Sequence, residues 1–217
     1  MSRGRQAAFG VLALAGMLAT ASPVMAQLAS RPAAEWVAVL EAPERLAGLK
    51  IHEVASSLEI DEGDVIADLG AGSGPFVLPF AGRVSPKGKV YAVDIDKGFF
   101  QYIEKRAKAA DAPNVLTVLG DATDPKLPAA DVDIAFFHDV VHHIADRPAY
   151  LKNLLKYLKP DARVAVIDYN PAQSPHQGEP TLQVSKAQVT AWMAEAGFKP
   201  LYEISLFSDK YFVIYRR

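Results

Sequence analysis

The stretch Val65-Ile66-Ala67-Asp68-Leu69-Gly70-Ala71-Gly72-Ser73-Gly74 constrains the fold more than any other part of the chain. An apolar run ends in an acid, and glycines follow at alternate positions. This order of residue types predicts a buried strand, a tight turn and the start of a helix. Glycine lets a backbone turn sharply and approach a ligand closely, because no Cβ stands in the way. Pro75 suits a first helical position, where its missing N–H is not needed.

From this loop onward, strand and helix patterns alternate. Strands are predicted at 65–68, 89–93, 115–119, 132–137 and 163–167, with helices over 75–84, 97–110 and 149–158 between them. Turns are expected at 85–88 and 159–161. That alternation implies a doubly wound α/β fold, with helices on both faces of a mostly parallel sheet. Residues 170–181 hold three prolines and one glycine and read as a long surface loop. Ser185 caps a helix that Gly197 ends. Segments 201–207 and 211–215 then form a hairpin around a short turn at 208–210. Upstream, a short helix at 35–40 carries Trp36, and a second spans 43–58.

Acids recur at the carboxyl ends of successive strands: Asp68, Asp94 and Asp121. Doubly wound sheets bind ligands at those ends. A dinucleotide loop, G-x-G-x-x-G, would need a third glycine at position 75, which is proline. The spacing Asp68-x-Gly70-x-Gly72-x-Gly74, with five parallel strands and a closing hairpin, resembles the class I S-adenosylmethionine-dependent methyltransferases. The resemblance covers residues 60–217 and implies a seven-stranded Rossmann-like sheet. It implies that Asp68, Gly70, Ala71, Gly72 and Gly74 pass under the amino-acid part of S-adenosyl-L-methionine. It gives the ribose hydroxyls to Asp94, an adenine face to Ile95, and the adenine edge to Asp121 and Ala122. Residues 27–59 become a cap over the cofactor. Trp36 and Arg45 could close over it, although packing on the sheet edge is the expected role of Trp36. The product would be S-adenosyl-L-homocysteine and the acceptor a small molecule.

Strand 4 runs into His138-Asp139-Val140-Val141-His142-His143. By the same resemblance, Asp139 lies beside the transferred methyl and His142 and His143 at the substrate mouth, as the catalytic candidates. Imidazole titrates near neutral pH, so these histidines could orient an acceptor or take its proton. His138 and His142 also stand four apart, a spacing that can hold zinc on a helix. Here the segment leaves a strand and no third ligand is evident, so no metal centre is expected. The Asn/Asp-Pro-Pro-aromatic motif of enzymes that methylate DNA bases is absent from the end of strand 4.

Composition narrows the partners. Residues 1–26 read as a signal peptide: Arg3 and Arg5, an uncharged apolar run, then Val24-Met25-Ala26 with small residues at −3 and −1. Cleavage before Gln27 and export, to a bacterial periplasm, are the expectation. Loss of the two arginines takes the net charge from −2 to −4. No basic surface for nucleic acid is expected, nor a membrane span after cleavage. The chain has no cysteine, so thiol chemistry and disulfides are excluded. An exported ligand-binding module and an NAD(P)-dependent oxidoreductase remain the alternative functions at this stage.

Overall fold

The computed structural model describes residues 32–217. The expected signal peptide therefore lies outside the described residues. The sheet has seven strands: β1 Val65–Leu69, β2 Lys89–Asp94, β3 Val115–Leu119, β4 Val132–His138, β5 Leu158–Tyr169, β6 Lys199–Glu203 and β7 Lys210–Arg216. Their order is β3-β2-β1-β4-β5-β7-β6. The first five pair in parallel, and β7 lies antiparallel between β5 and β6. This is the doubly wound sheet with a closing hairpin that the alternating pattern predicts.

Every residue of β1 is buried, because helices cover both faces of the sheet. Side chains alternate across a strand, so each central strand feeds two cores. Ala67, Leu69, Val93, Phe137 and Val166 belong to one. Ile66, Ala92, Phe136, Ile167 and Phe212 belong to the other, where Phe76, Phe80 and Phe136 stack edge and face. Burial of one such phenylalanine is worth roughly 1.5–3 kcal/mol.

The helices are α1 Ala33–Leu40, α2 Pro43–Gly48, α3 Ile51–Ser57, α4 Val77–Val84, α5 Phe100–Ala109, α6 Arg147–Leu154 and α7 Lys186–Glu195. Several boundaries differ from the sequence reading. The helix expected over 43–58 is two, broken where Lys50 takes a left-handed φ of 48°. Its Nζ donates to the Leu206 carbonyl (2.8 Å), which fixes the break against the β6–β7 connection. Pro75 lies in the turn before α4 rather than at its first position. The turn expected at 159–161 is the start of β5, joined to β4 through a shift of register. The hairpin connection is not short: β6 ends at Glu203, and Ile204, Leu206 and Phe207 pack against the core before β7 begins. At α7 the sequence reading holds, with a reciprocal capping box between Ser185 and Gln188 and Gly197 at φ 95° just beyond its end.

Candidate active site

The strand order reverses between β1 and β4. A crevice opens at that point beyond the carboxyl ends of a doubly wound sheet. Here it is a cleft of about 440 Å³. Asp68, Gly70, Ala71, Gly72, Asp94, Ile95, Asp121, Ala122, Asp139, His142 and His143 all line it. Gly74 is the exception. A Cβ there would come within 2.8 Å of Ile103, so that glycine lets α5 pack against the loop. Gly70, at φ 78°, is required for a different reason. A Cβ would collide with Val140, so the loops after β1 and β4 can cross only if position 70 is bare.

On one side of the cleft, Asp94 organises the glycine loop. Its Oδ2 accepts from the Gly72 amide (2.8 Å) and its Oδ1 from the Asp96 amide (2.9 Å). Burial nevertheless pushes its carboxyl up, against the pull of these amides. Asp68 lies deeper, 3% exposed, and its Oδ2 has no hydrogen-bond partner. Burial, with the nearby Asp94 charge adding to it, raises its pKa to about 8. Asp121 lines the cleft, but its carboxylate is occupied. Oδ1 accepts from the Thr123 and Asp124 amides, and Oδ2 pairs with Lys126 at 2.7 Å.

On the other side, Asp139 sits just past β4 with a left-handed φ of 56°. Its Oδ2 accepts from Lys210 Nζ (2.7 Å), and His138 Nδ1 and Arg45 Nη2 stand at 3.4 and 3.7 Å. Burial alone would raise this carboxyl, but His138 and Lys210 outweigh it and hold it well below the usual carboxylate range. Lys210 is itself buried, with its ammonium 4.4 Å from the centre of the Tyr169 ring. The sequence reading placed Lys210 in a turn. It opens β7 instead and reaches across β5 to the cleft.

The two adjacent histidines lie on a single 3₁₀ turn, Val141–His143. His142 is buried, its Nδ1 2.6 Å from Asp168 Oδ1 and its backbone amide donating to Asp168 Oδ2 (3.1 Å). His143 has a buried Nδ1 with no partner. Burial, and then its neighbours His142 and His176, lower its pKa to about 3. His176 comes from the long loop and completes a group of three ring nitrogens, all within 4.8 Å of one another. The i, i+4 pair is thus not the cluster that forms. His138 packs instead against Phe76 and Phe207. His176, thirty-four positions from His142, is the ring that the sequence reading did not connect with the adjacent pair. Asp168 was also missed, although it ends the apolar run of β5 as Asp68 ends that of β1.

A roof covers the glycine loop. Trp36 and Leu40 of α1 line the cleft rather than the sheet edge, and Leu40 Cδ1 would lie 3.2 Å from a Cβ at Gly72. Glu41 pairs with Arg106 of α5 at 2.8 Å and closes that side.

Known proteins agree with this architecture. The chain is 31% identical over 109 residues to a 2-phytyl-1,4-naphtoquinone methyltransferase of Trichormus variabilis, covering 50% of this chain and 48% of that protein. It is 30% identical over 101 residues to the nocamycin O-methyltransferase of Saccharothrix syringae, covering 46% and 36%. It thus spans at most about half the length of either relative. A solved methyltransferase from Aquifex aeolicus, described as S-adenosylmethionine-dependent, superposes with a TM-score of 0.75 at 24% identity, over 84% of this chain and 97% of that one. Residues 60–201 match the profile of the methyltransferase domain, from just before β1 to β6. With its strand order and its cleft at the β1–β4 reversal, the chain belongs to the class I S-adenosylmethionine-dependent methyltransferase family.

Proposed function

We propose that this protein transfers a methyl group from S-adenosyl-L-methionine to a small-molecule acceptor, leaving S-adenosyl-L-homocysteine. The observation that carries the reading is the buried Asp68 carboxyl beneath the glycine loop, with an oxygen free of partners. A buried acid without a counter-charge is costly unless a cationic ligand comes to it. The cofactor's amino-acid end brings a cationic ammonium. Asp94 lies one strand further along the sheet, next to Ile95, where a ribose and an adenine face would be held.

When bound, the cofactor supplies an electrophilic methyl on a positively charged sulfur. The chain's own work is positioning and exclusion of water. Trp36 and Leu40 cover the cleft, and the glycine loop would lie beneath the bound cofactor. Asp139, His142 and His143 lie after β4, next to β1 in the sheet, and form the acceptor side. The two relatives act on a naphthoquinone and on nocamycin by their names, which favours a small organic acceptor here. A dinucleotide reading is disfavoured by Pro75 in the pre-helix turn.

Calorimetry on the full chain tests the reading. Saturable binding of S-adenosylmethionine or S-adenosylhomocysteine is expected, and tight NADH binding with neither of these would overturn it. We also propose that the protein is exported, on the strength of Arg3, Arg5, the apolar run after them and Val24-Met25-Ala26. A reporter fused after Gln27 should appear outside the cytoplasm. Recovery of soluble cytoplasmic protein that still carries Met1 would end that proposal. Among the described residues, no helix is long and apolar enough to cross a membrane.

A further inference from the structure

We propose that His142, His143 and His176 bind a divalent transition-metal ion of the zinc class. The three rings converge from two elements, with centroids 4.1 to 5.3 Å apart. One nitrogen from each lies within 4.8 Å of the others. Around tetrahedral zinc, with Zn–N of roughly 2.0–2.1 Å, ligand nitrogens stand about 3.3 Å apart. An ion would therefore draw the three nitrogens closer than they stand without one.

The outer partners fit this chemistry. A metal-bound histidine usually donates its other N–H to a carboxylate, which fixes the ring and the tautomer. His142 Nδ1 faces Asp168 at 2.6 Å, and His176 Nδ1 faces Glu179 at 3.3 Å. A carboxylate only accepts, so a neutral ring that donates through Nδ1 in this way carries its lone pair on Nε2, free for a metal. The buried Nδ1 of His143 has no partner within the protein. Such an orphan is expensive, and a metal ion bound at that nitrogen would satisfy it.

The loop that brings His176 is built to hold it. Gln183 donates from its side chain to the His176 carbonyl (3.0 Å), and the His176 amide donates to Ser174 Oγ (3.1 Å). Arg147 joins the two contributing segments, donating to the carbonyls of His142 (2.7 Å) and Thr181 (3.0 Å). The cluster is therefore preorganised by groups that do not themselves need to bind the ion.

Three protein ligands leave a coordination position open, the pattern of catalytic rather than structural zinc. All three histidines line the cleft, so that position is available to a ligand there. If the methyltransferase reading holds, an acceptor hydroxyl seated on the ion would lose its proton more readily, as metal-bound water does. Metal binding itself does not depend on that reading.

The test uses full-length chain without a histidine tag, stripped with chelator and titrated with Co²⁺ as a spectroscopic probe. One ion per chain is expected, with the visible bands of a tetrahedral nitrogen site, displaced by Zn²⁺. His143→Ala and His176→Ala should lose that stoichiometric site, while the exposed His52→Ala keeps it. Glu179→Gln should weaken Zn²⁺ affinity by ~10-fold to 100-fold. His176 lies in a surface loop, so its variant remains informative where a change at the buried His142 disturbs folding. Thermal melts of each variant verify that the fold is retained. No stoichiometric uptake by the wild-type chain, or uptake unchanged in folded His143→Ala and His176→Ala, overturns the proposal. Because no cofactor or acceptor is present, failure here and failure to bind S-adenosylmethionine are separate outcomes.

Discussion

Asp68, near the end of β1, and Asp139, just past β4, line one cleft and both bury their carboxyls, yet burial leaves them in opposite states. Asp68 meets the Asp94 carboxyl and no cation, and its pKa rises to about 8. Asp139 meets Lys210, His138 and Arg45, and its pKa falls below the usual range. The difference teaches how the cleft divides. The half after β4 carries its own counter-charges, whereas the glycine-loop half holds a buried carboxyl with none, where we propose that the cofactor's ammonium binds.

The pH dependence of the two halves follows, with opposite sign. The folded pKa of Asp68 is raised, so the stability its proton provides is fully present below about pH 3.8 and is lost as pH rises through about 8. The folded pKa of Asp139 is depressed. Its contribution is present above the unfolded value and is lost as pH falls through the folded one.

The largest expected effect lies at Lys210. Lys210→Met removes the closest cation from a buried carboxylate and should destabilise the protein by about 3–5 kcal/mol in denaturant unfolding at neutral pH. Adding Asp139→Asn should restore much of that loss. A single variant as stable as wild type would mean that Asp139 does not depend on this ammonium, and the contrast between the halves would collapse. Next is Asp94→Ala, which should weaken S-adenosylmethionine binding by roughly 1.5–3 kcal/mol. Calorimetry beside a melting curve separates a ligand contact from the loop tie to Gly72. If affinity holds while the melting temperature drops, Asp94 serves the loop alone. The smallest effect sharpens the contrast most. Cationic ligand binding should ionise Asp68 and release up to about one proton near pH 7. The observed heat should then vary with the ionisation enthalpy of the buffer, and Asp68→Asn should remove that variation. Buffer-independent heat in the wild type would show that Asp68 is already charged.

Much of the glycine-loop half of the cleft was legible in the sequence, because one local rule governs it. An apolar run ending in an acid marks Asp68 and Asp94, and the bare positions after the first mark Gly70 and Gly72, without knowledge of distant contacts. The half after β4 depends on residues far apart in the chain. Nothing periodic ties His176 to the 3₁₀ turn at 141–143, and loop conformation alone brings it there. Lys210 looked like a turn residue because lysine is rarely buried, and only its position on β7 reveals its partner. Asp168 is the exception. The strand-end rule that identifies Asp68 applies to it equally, but it follows Ile167 in a strand whose end was placed two residues early. The break at Lys50 had no local signal of its own, since the carbonyl that holds it belongs to Leu206.

The placement of Lys210 also bears on the order in which the molecule assembles. β7 follows every other strand in the chain, yet it lies between β5 and β6. During synthesis, β1 to β5 can pair in parallel as they emerge, and with them the glycine loop and Asp94. The free edge of β5 must wait, and so must the charge at Asp139, until the ribosome has delivered residue 210 and those after it. A polypeptide that folded as it was made would thus complete its two half-sites at different times, and a nascent chain stalled before β7 would hold the glycine loop opposite an acid that still lacks its closest cation.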